Sequence, residues 1–160
     1  MTDTSKHIRI GFYSDFKGYD TVLISVNLNG LLEIENTFLE LSQGLYCFDF
    51  STLKLLDTKY YVEIKAFNDT NNIGLKQIEK GKFEWRLTKN LWNQFREMTT
   101  ALYRNGSCGH QYLDSETNYF NSETNYINTE SLQVVLSLNE YPLSFWEEHF
   151  PTRNNNQPIK

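Results

Sequence analysis

The fold is decided by residues 83–114, which have the sequence FEWRLTKNLWNQFREMTTALYRNGSCGHQYLD. The middle of this stretch carries an apolar stripe with spacings of four, three and four, formed by Leu91, Phe95, Met98 and Leu102. Such a stripe indicates a helix that is buried on one side. Thr88 can cap the first turn with its hydroxyl oxygen, and Gly106 can end the helix in a left-handed conformation. We therefore predict a helix over about residues 89–104.

Strands are predicted on both sides of this helix. Before it, residues 83–87 alternate between apolar and charged side chains, which indicates a strand with one solvent-exposed face. After it, residues 109–114 are short enough to form a strand that turns back against the same sheet. The stretch is therefore predicted to be a strand, a helix and a strand.

A hairpin and a second helix are predicted in the N-terminal half. Residues 7–13 and 21–28 alternate in the same way and flank a turn at Gly18, which predicts two paired strands. Apolar side chains then follow at spacings of three, four and three, at Leu31, Ile34, Phe38 and Leu41. This spacing predicts a helix over residues 30–43. The alternative is a hairpin that turns at residues 29–30.

The remaining alternating or aromatic segments complete one predicted domain. They predict strands over residues 45–50, 59–67, from 73 onward and 131–141, and a C-terminal helical turn over 143–150 whose aromatic side chains pack on the sheet edge. We predict an α+β fold, with a mainly antiparallel curved sheet of about six to seven strands, two principal helices and that short turn. The domain spans residues 1–152, and residues 153–160 are predicted to be a flexible tail.

Composition favours a globular cytoplasmic protein. The chain has 160 residues, 15% of which are aromatic, and this is enough to build a sizeable core without disulfides. It has no apolar run near the roughly 18 residues of a membrane span, and its N-terminus lacks the apolar segment of a signal peptide. We therefore expect a complete cytosolic chain. Cys47 and Cys108 are expected to be buried and reduced, and no metal or cofactor site is predicted.

Charge is segregated along the chain. Residues 105–152 contain seven acidic residues and no Lys or Arg, whereas residues 1–104 are neutral overall. A field of one sign repels nucleic acid and attracts basic partners. The acidic segment also contains a tandem duplication of SETNY, which we expect to form an expanded surface loop or a long hairpin tip. Seven carboxylates that merely keep such a loop solvated are the alternative explanation.

Tyrosines accompany these carboxylates, and large aromatics beside acids are typical anchors of protein interfaces. The predicted partner-binding residues are Asp114, Glu116, Tyr119, Glu123, Tyr126, Glu130, Glu140 and Tyr141. Signatures of catalysis are missing from the sequence, which has no Gly-x-Ser-x-Gly, no phosphate-binding glycine loop and no His-Glu-x-x-His. The sequence therefore favours a binding protein over an enzyme.

Two segments carry a family resemblance. Residues 109–114 (GHQYLD), followed after a spacer by residues 134–142 (VVLSLNEYP), resemble immunity proteins of bacterial polymorphic toxin and contact-dependent growth inhibition systems. The resemblance implies a cytoplasmic protein that neutralises one cognate toxin domain, often a basic nuclease, by stoichiometric occlusion. Two alternatives stay open: a small enzyme or small-molecule-binding domain with an aromatic-lined pocket, and a structural or adaptor subunit of a larger assembly.

Overall fold

The computed structural model describes residues 7–16, 18–114, 120–121, 126–127 and 131–152. In chain order the elements are β1 (Ile8–Phe16), β2 (Tyr19–Val26), α1 (Leu28–Ser42), β3 (Cys47–Asp49), a 3-10 turn (Phe50–Thr52), β4 (Glu63–Asn68), β5 (Gly74–Glu79), β6 (Lys82–Leu87), α2 (Lys89–Asn105), β7 (Gly109–Tyr112), β8 (Phe120–Asn121), β9 (Tyr126–Ile127), β10 (Gln133–Leu138) and α3 (Leu143–His149). The predicted α+β class is confirmed.

Eight of the described strands form two mixed sheets. The first sheet has the order β1-β2-β10-β7, and the second has the order β3-β4-β6-β5. Each sheet has a parallel pair at its centre, β2 with β10 and β4 with β6, between antiparallel outer pairs. The prediction of a single, mainly antiparallel curved sheet is therefore wrong. Parallel neighbours need long crossover connections, and local periodicity carries no information about them.

Helix α2 carries the chain from one sheet to the other. Its 17 residues span about 25 Å. Strand β6 before it lies in the second sheet, whereas β7 after it pairs with β10 in the first sheet, with Tyr112 opposite Val135. Residues 109–114 were predicted to pair in the same sheet as residues 83–87, and that prediction is therefore wrong. The predicted helix itself is confirmed, and its cap is the predicted one, since Thr88 Oγ1 accepts from Leu91 N at 3.2 Å.

The predicted helix at residues 30–43 is confirmed as α1, and the hairpin alternative is wrong. The side chain of Asn27 accepts from Gly30 N at 3.0 Å, so Asn27 caps the helix rather than beginning a β-turn. Phe38 of α1 packs against α2 and β6, with its ring centroid 5.7 Å from Trp92 and 5.9 Å from Trp85. These rings form the centre of the main core, which both sheets and both helices share.

The two sheets are joined along the free edge of β1. Residues 55–62 run beside this strand, where Ile8 N donates to Leu55 O at 3.0 Å and Val62 N donates to Ile10 O at 3.0 Å. The chain then enters β4, the second strand of the other sheet. The predicted strand over residues 59–67 therefore divides between an edge segment of the first sheet and a strand of the second.

Helix α3 covers the face of the first sheet that points away from the main core. Trp146 and Phe150 form a smaller cluster there with Leu23 and Val135. Gly11 of β1 lies directly beneath them, because an added Cβ would be 2.4 Å from Phe150 Cε1 and 2.7 Å from Trp146 Cζ3. The predicted C-terminal turn is thus a helix that packs on a sheet face, and the prediction of packing on an edge is wrong.

Most of the duplicated SETNY segment lies outside the described residues. Strands β8 and β9, which fall within it, pair antiparallel, with Phe120 opposite Ile127. Among the described helices, none combines the length and the apolar content that a membrane span requires.

Candidate functional site

Three of the eight predicted partner-binding residues have described side chains: Asp114, Glu140 and Tyr141. Glu116, Tyr119, Glu123 and Glu130 lie outside the described residues, and the side chain of Tyr126 does too. The structure therefore locates part of the predicted surface. Glu140 and Tyr141 follow the end of β10, and Asp114 follows β7, its antiparallel neighbour.

Strand pairing places His110 and Tyr112 on the same face of the first sheet. They lie opposite Ser137 and Val135 of β10, and residues two apart on a strand share a face. Their rings meet edge to face, with centroids 5.5 Å apart. Tyr112 is 40% exposed at the end of β7. Its aromatic ring is thus available at the surface.

A tight turn fixes Glu140 against the His110 ring. Asn139 adopts a left-handed conformation with φ of 57°, and its side chain donates to Ser107 O at 2.8 Å. The turn brings both carboxylate oxygens of Glu140 to 3.1 Å from His110 Nδ1. Ser137 Oγ donates to Glu140 Oε1 at 2.5 Å. The carboxylate is therefore held in one position at the surface.

Tyr141 lies beside the same carboxylate. Its pKa is raised by burial first, and then by the charges of Glu140 and Tyr112. Its ring packs on Phe145 of α3 at a centroid distance of 4.7 Å. We call the surface formed by His110, Tyr112, Glu140 and Tyr141 the Tyr112 patch.

A shallow open cleft continues from the Tyr112 patch across the first sheet. It encloses about 260 Å³ and shares Tyr141 with the patch. The cation in its lining is Arg9, whose Nε lies 2.9 Å from Asp57 Oδ2 in a partly buried ion pair. Because the positive charge of Arg9 is paired with Asp57, it does not offset the negative charge of Glu140.

Asp114 stands apart from the carboxylate of the patch. Partial burial raises its pKa, and no charge among the described residues contributes to that shift. The residue is nevertheless exposed. Ionised Asp114 is therefore incompletely solvated in the folded chain, a state in which a basic partner would stabilise it.

The Ser137, Glu140 and His110 side chains resemble a catalytic set in composition but not in arrangement. In a nucleophilic relay the histidine contacts the serine hydroxyl, whereas here both side chains contact Glu140. Ser137 is also fully buried. What this arrangement does is hold the carboxylate and the adjacent rings in place.

The structure differs from the expectation for the two cysteines. Cys108 is exposed and Cys47 is partly buried, so the prediction that both cysteines are buried is wrong. Within the described part of the chain, no group of three or more His, Cys, Asp or Glu side chains could hold a metal ion.

His110 and Tyr112 belong to the patch although neither was among the predicted partner-binding residues. The sequence does indicate that the two side chains lie together, because alternation along residues 109–112 places both on one face of the strand. What the sequence did not show was the pairing of β7 with β10, which brings them to Glu140. No known family, curated protein or solved structure matches this chain.

Proposed function

We propose that this protein is a bacterial immunity protein that binds and neutralises a cognate toxin domain in the cytoplasm. Binding is stoichiometric, and the acidic, tyrosine-rich C-terminal surface covers a basic active site or substrate groove of the toxin. The observation that carries the proposal is the Tyr112 patch, in which Glu140 is fixed by His110 and Ser137, and His110 in turn packs on Tyr112.

The charge of the patch supports a basic partner. Residues 105–152 supply only acidic charges, and the nearby Arg9 is paired with Asp57. A complementary basic surface is attracted over roughly 8–10 Å at physiological salt, which raises the association rate. Nucleic acid is repelled by the same field.

The aromatic side chains of the patch support a protein partner. Tyr141 lies beside the Glu140 carboxylate, Tyr112 packs on His110, and Leu143 is exposed in the following helix. Tyrosine is enriched among the residues that dominate binding energy at interfaces. Because Glu140 and Tyr141 are already held by neighbouring side chains, little conformational entropy is lost when a partner binds.

The two segments that resemble immunity proteins are brought together at this surface. Residues 109–112 form β7, and residues 134–138 form most of β10, its antiparallel partner. The end of the second segment, residues 139–142, forms the turn that presents Glu140. Both segments of the resemblance lie within the acidic stretch 105–152, and Glu140 belongs to the second segment as well as to the acidic residues of that stretch.

Binding to a cognate toxin domain, to be sought in the neighbouring genes, tests the proposal. We expect Tyr112→Ala to weaken binding about 30-fold, which corresponds to the roughly 2 kcal/mol of an interface anchor. The triple reversal Glu116→Lys, Glu123→Lys and Glu140→Lys is expected to abolish protection of cells that express the toxin. Affinity is measured by calorimetry, and protection is measured by growth.

Matched controls separate this surface from general effects of charge or exposure. Tyr46 is 70% exposed, and Glu97 is exposed on α2, outside the patch. Tyr46→Ala and Glu97→Lys should leave affinity within about twofold of wild type. Unchanged toxin binding and protection in the patch variants would refute the acidic-surface proposal, and failure of the wild-type chain to bind or protect would refute the immunity function.

A further inference from the structure

A second concave site lies at the opposite end of α3 from the Tyr112 patch. It encloses about 370 Å³ between β1, the edge segment at residues 60–62, the β5–β6 turn and the end of α3. Its lining residues are Ile10, Gly11, Phe12, Tyr60, Tyr61, Val62, Gln77, Lys80, Gly81, Phe83, Trp146, Phe150, Pro151 and Thr152. We call it the α3 cleft. Its volume falls in the range of small-molecule sites, about 300–1,000 Å³.

The walls of the α3 cleft are held by stacked aromatic rings. Trp146 and Phe150 stack with centroids 4.1 Å apart, and Tyr60 packs on Trp146 at 5.9 Å. Gly11 lets these rings approach β1 closely, because any side chain there would overlap them. All three rings are largely buried. The apolar walls therefore exist before any ligand binds.

Two polar groups of the lining are donors without partners. Trp146 Nε1 is buried and has no acceptor among the described residues. Lys80 makes no ion pair within the described part of the chain, whereas the next lysine, Lys82, lies 2.8 Å from Glu79. None of the lining residues is acidic.

Negative charges lie near Tyr60 on one wall of the cleft, and the positive charge of Lys80 lies on another. Burial, then the charges of Glu147 and Asp57, raise the pKa of Tyr60, so negative charge is disfavoured near its hydroxyl. Lys80 lies on a different wall, in the turn between β5 and β6. An anionic ligand is therefore expected to direct its charge toward Lys80.

We propose that the α3 cleft binds a small organic anion, whose flat apolar body lies against Phe12 and Phe150 and whose carboxylate or sulfonate pairs with Lys80. This site is separate from the proposed toxin-binding surface. It goes beyond toxin neutralisation and does not depend on it.

Fluorescence titration of the full-length chain with 8-anilinonaphthalene-1-sulfonate tests the proposal. This probe has an aromatic body and one sulfonate, and N-phenyl-1-naphthylamine is the same body without the sulfonate. We expect saturable binding of the sulfonate at one site per chain. Lys80→Gln should weaken it roughly three- to fivefold, as expected for an exposed ion pair, and should leave binding of the neutral probe unchanged.

Control and blocking variants make the result specific. Lys65→Gln removes the same charge from an exposed position of β4 outside the cleft and should change neither titration. Val62→Trp adds bulk to the lining and should abolish binding of both probes. Thr152→Trp, at the exposed rim, should also abolish binding of both probes and leaves the edge segment beside β1 unchanged. The melting temperature verifies that each variant is folded.

Three results would overturn the proposal. The first is binding of the sulfonate that survives the blocking variants, since the probe would then lie elsewhere. The second is equal weakening by Lys80→Gln and Lys65→Gln, since the anion would then have no defined partner. The third is no saturable binding of either probe to the wild-type chain.

Discussion

Replacement of Gly11 by alanine should loosen α3 from the first sheet. A Cβ at this position would lie 2.4 Å from Phe150 Cε1 and 2.7 Å from Trp146 Cζ3. Ordinary contact begins at about 3.4 Å, so the two rings would have to move by about 1 Å. Both rings belong to a closely packed cluster, so moving either one disturbs its contacts with the neighbouring side chains.

The magnitude follows from two opposing effects. Overpacking of this kind costs about 1–3 kcal/mol. Loss of glycine's freedom in the unfolded chain offsets about 0.4–1 kcal/mol. The net loss of about 1–2 kcal/mol corresponds to a melting temperature lowered by roughly 2–8 °C for a chain of this size.

Thermal unfolding followed by circular dichroism measures this loss, and tryptophan fluorescence reports on Trp146. Ser14→Ala is the matched control, since Ser14 is exposed on the same strand. Phe150→Ala removes both ring atoms nearest the new methyl group, Cε1 and Cδ1, so Gly11→Ala should cost about 1 kcal/mol less in that background. An unchanged or raised melting temperature for Gly11→Ala would refute the close packing of α3 on β1.

Three further changes test other contacts. The Glu33 carboxylate accepts from the backbone amides of residues 54 and 55, at 2.6 and 3.0 Å. Glu33→Ala should therefore lower the free energy of unfolding in urea by about 2 kcal/mol. Glu40→Ala, at an exposed position of the same helix, should change it little. Thr88→Ala removes the cap of α2 and should cost about 1 kcal/mol, whereas exposed Thr58→Ala should not. Because the pKa of Asp114 is raised, its carboxyl group stays protonated to higher pH in the folded chain than in the unfolded chain. The stability that this protonation contributes is therefore lost as the pH rises above the ordinary pKa of 3.8. Asp114→Asn should remove that part of the pH dependence, and a profile identical to that of the wild-type chain would contradict the partial burial of the carboxyl group.

Helices were predictable because their evidence is local. The stripe that includes Leu91 and Phe95 lies within one segment, as do the cap at Thr88 and the spacing of Leu31, Ile34 and Phe38 along α1. Asn27 also shows why the hairpin alternative failed. Its side chain satisfies the first turn of a helix, and this outweighs the turn tendency of residues 29–30.

The sheets were less predictable because strand partners are chosen by burial across the whole chain. Alternation identifies the two faces of β10, but both are buried, one in the main core and one beneath α3. Nothing within residues 131–141 indicates that β2, more than 100 positions earlier, is the parallel neighbour. The same limit applies to the site. Glu140 and Tyr141 were identified from charge and residue type, whereas the contact with His110 required the β7–β10 pairing.

The central position of β10 has a consequence for synthesis of the chain. Because β10 lies between β2 and β7, the edge of β2 has no neighbour on that side until residues 133–138 have left the ribosome. All residues up to 138 must therefore be made before the first sheet can close, and pairing over such a separation is slow. A nascent chain interrupted before this point exposes an unpaired β-edge, which is a site for aggregation.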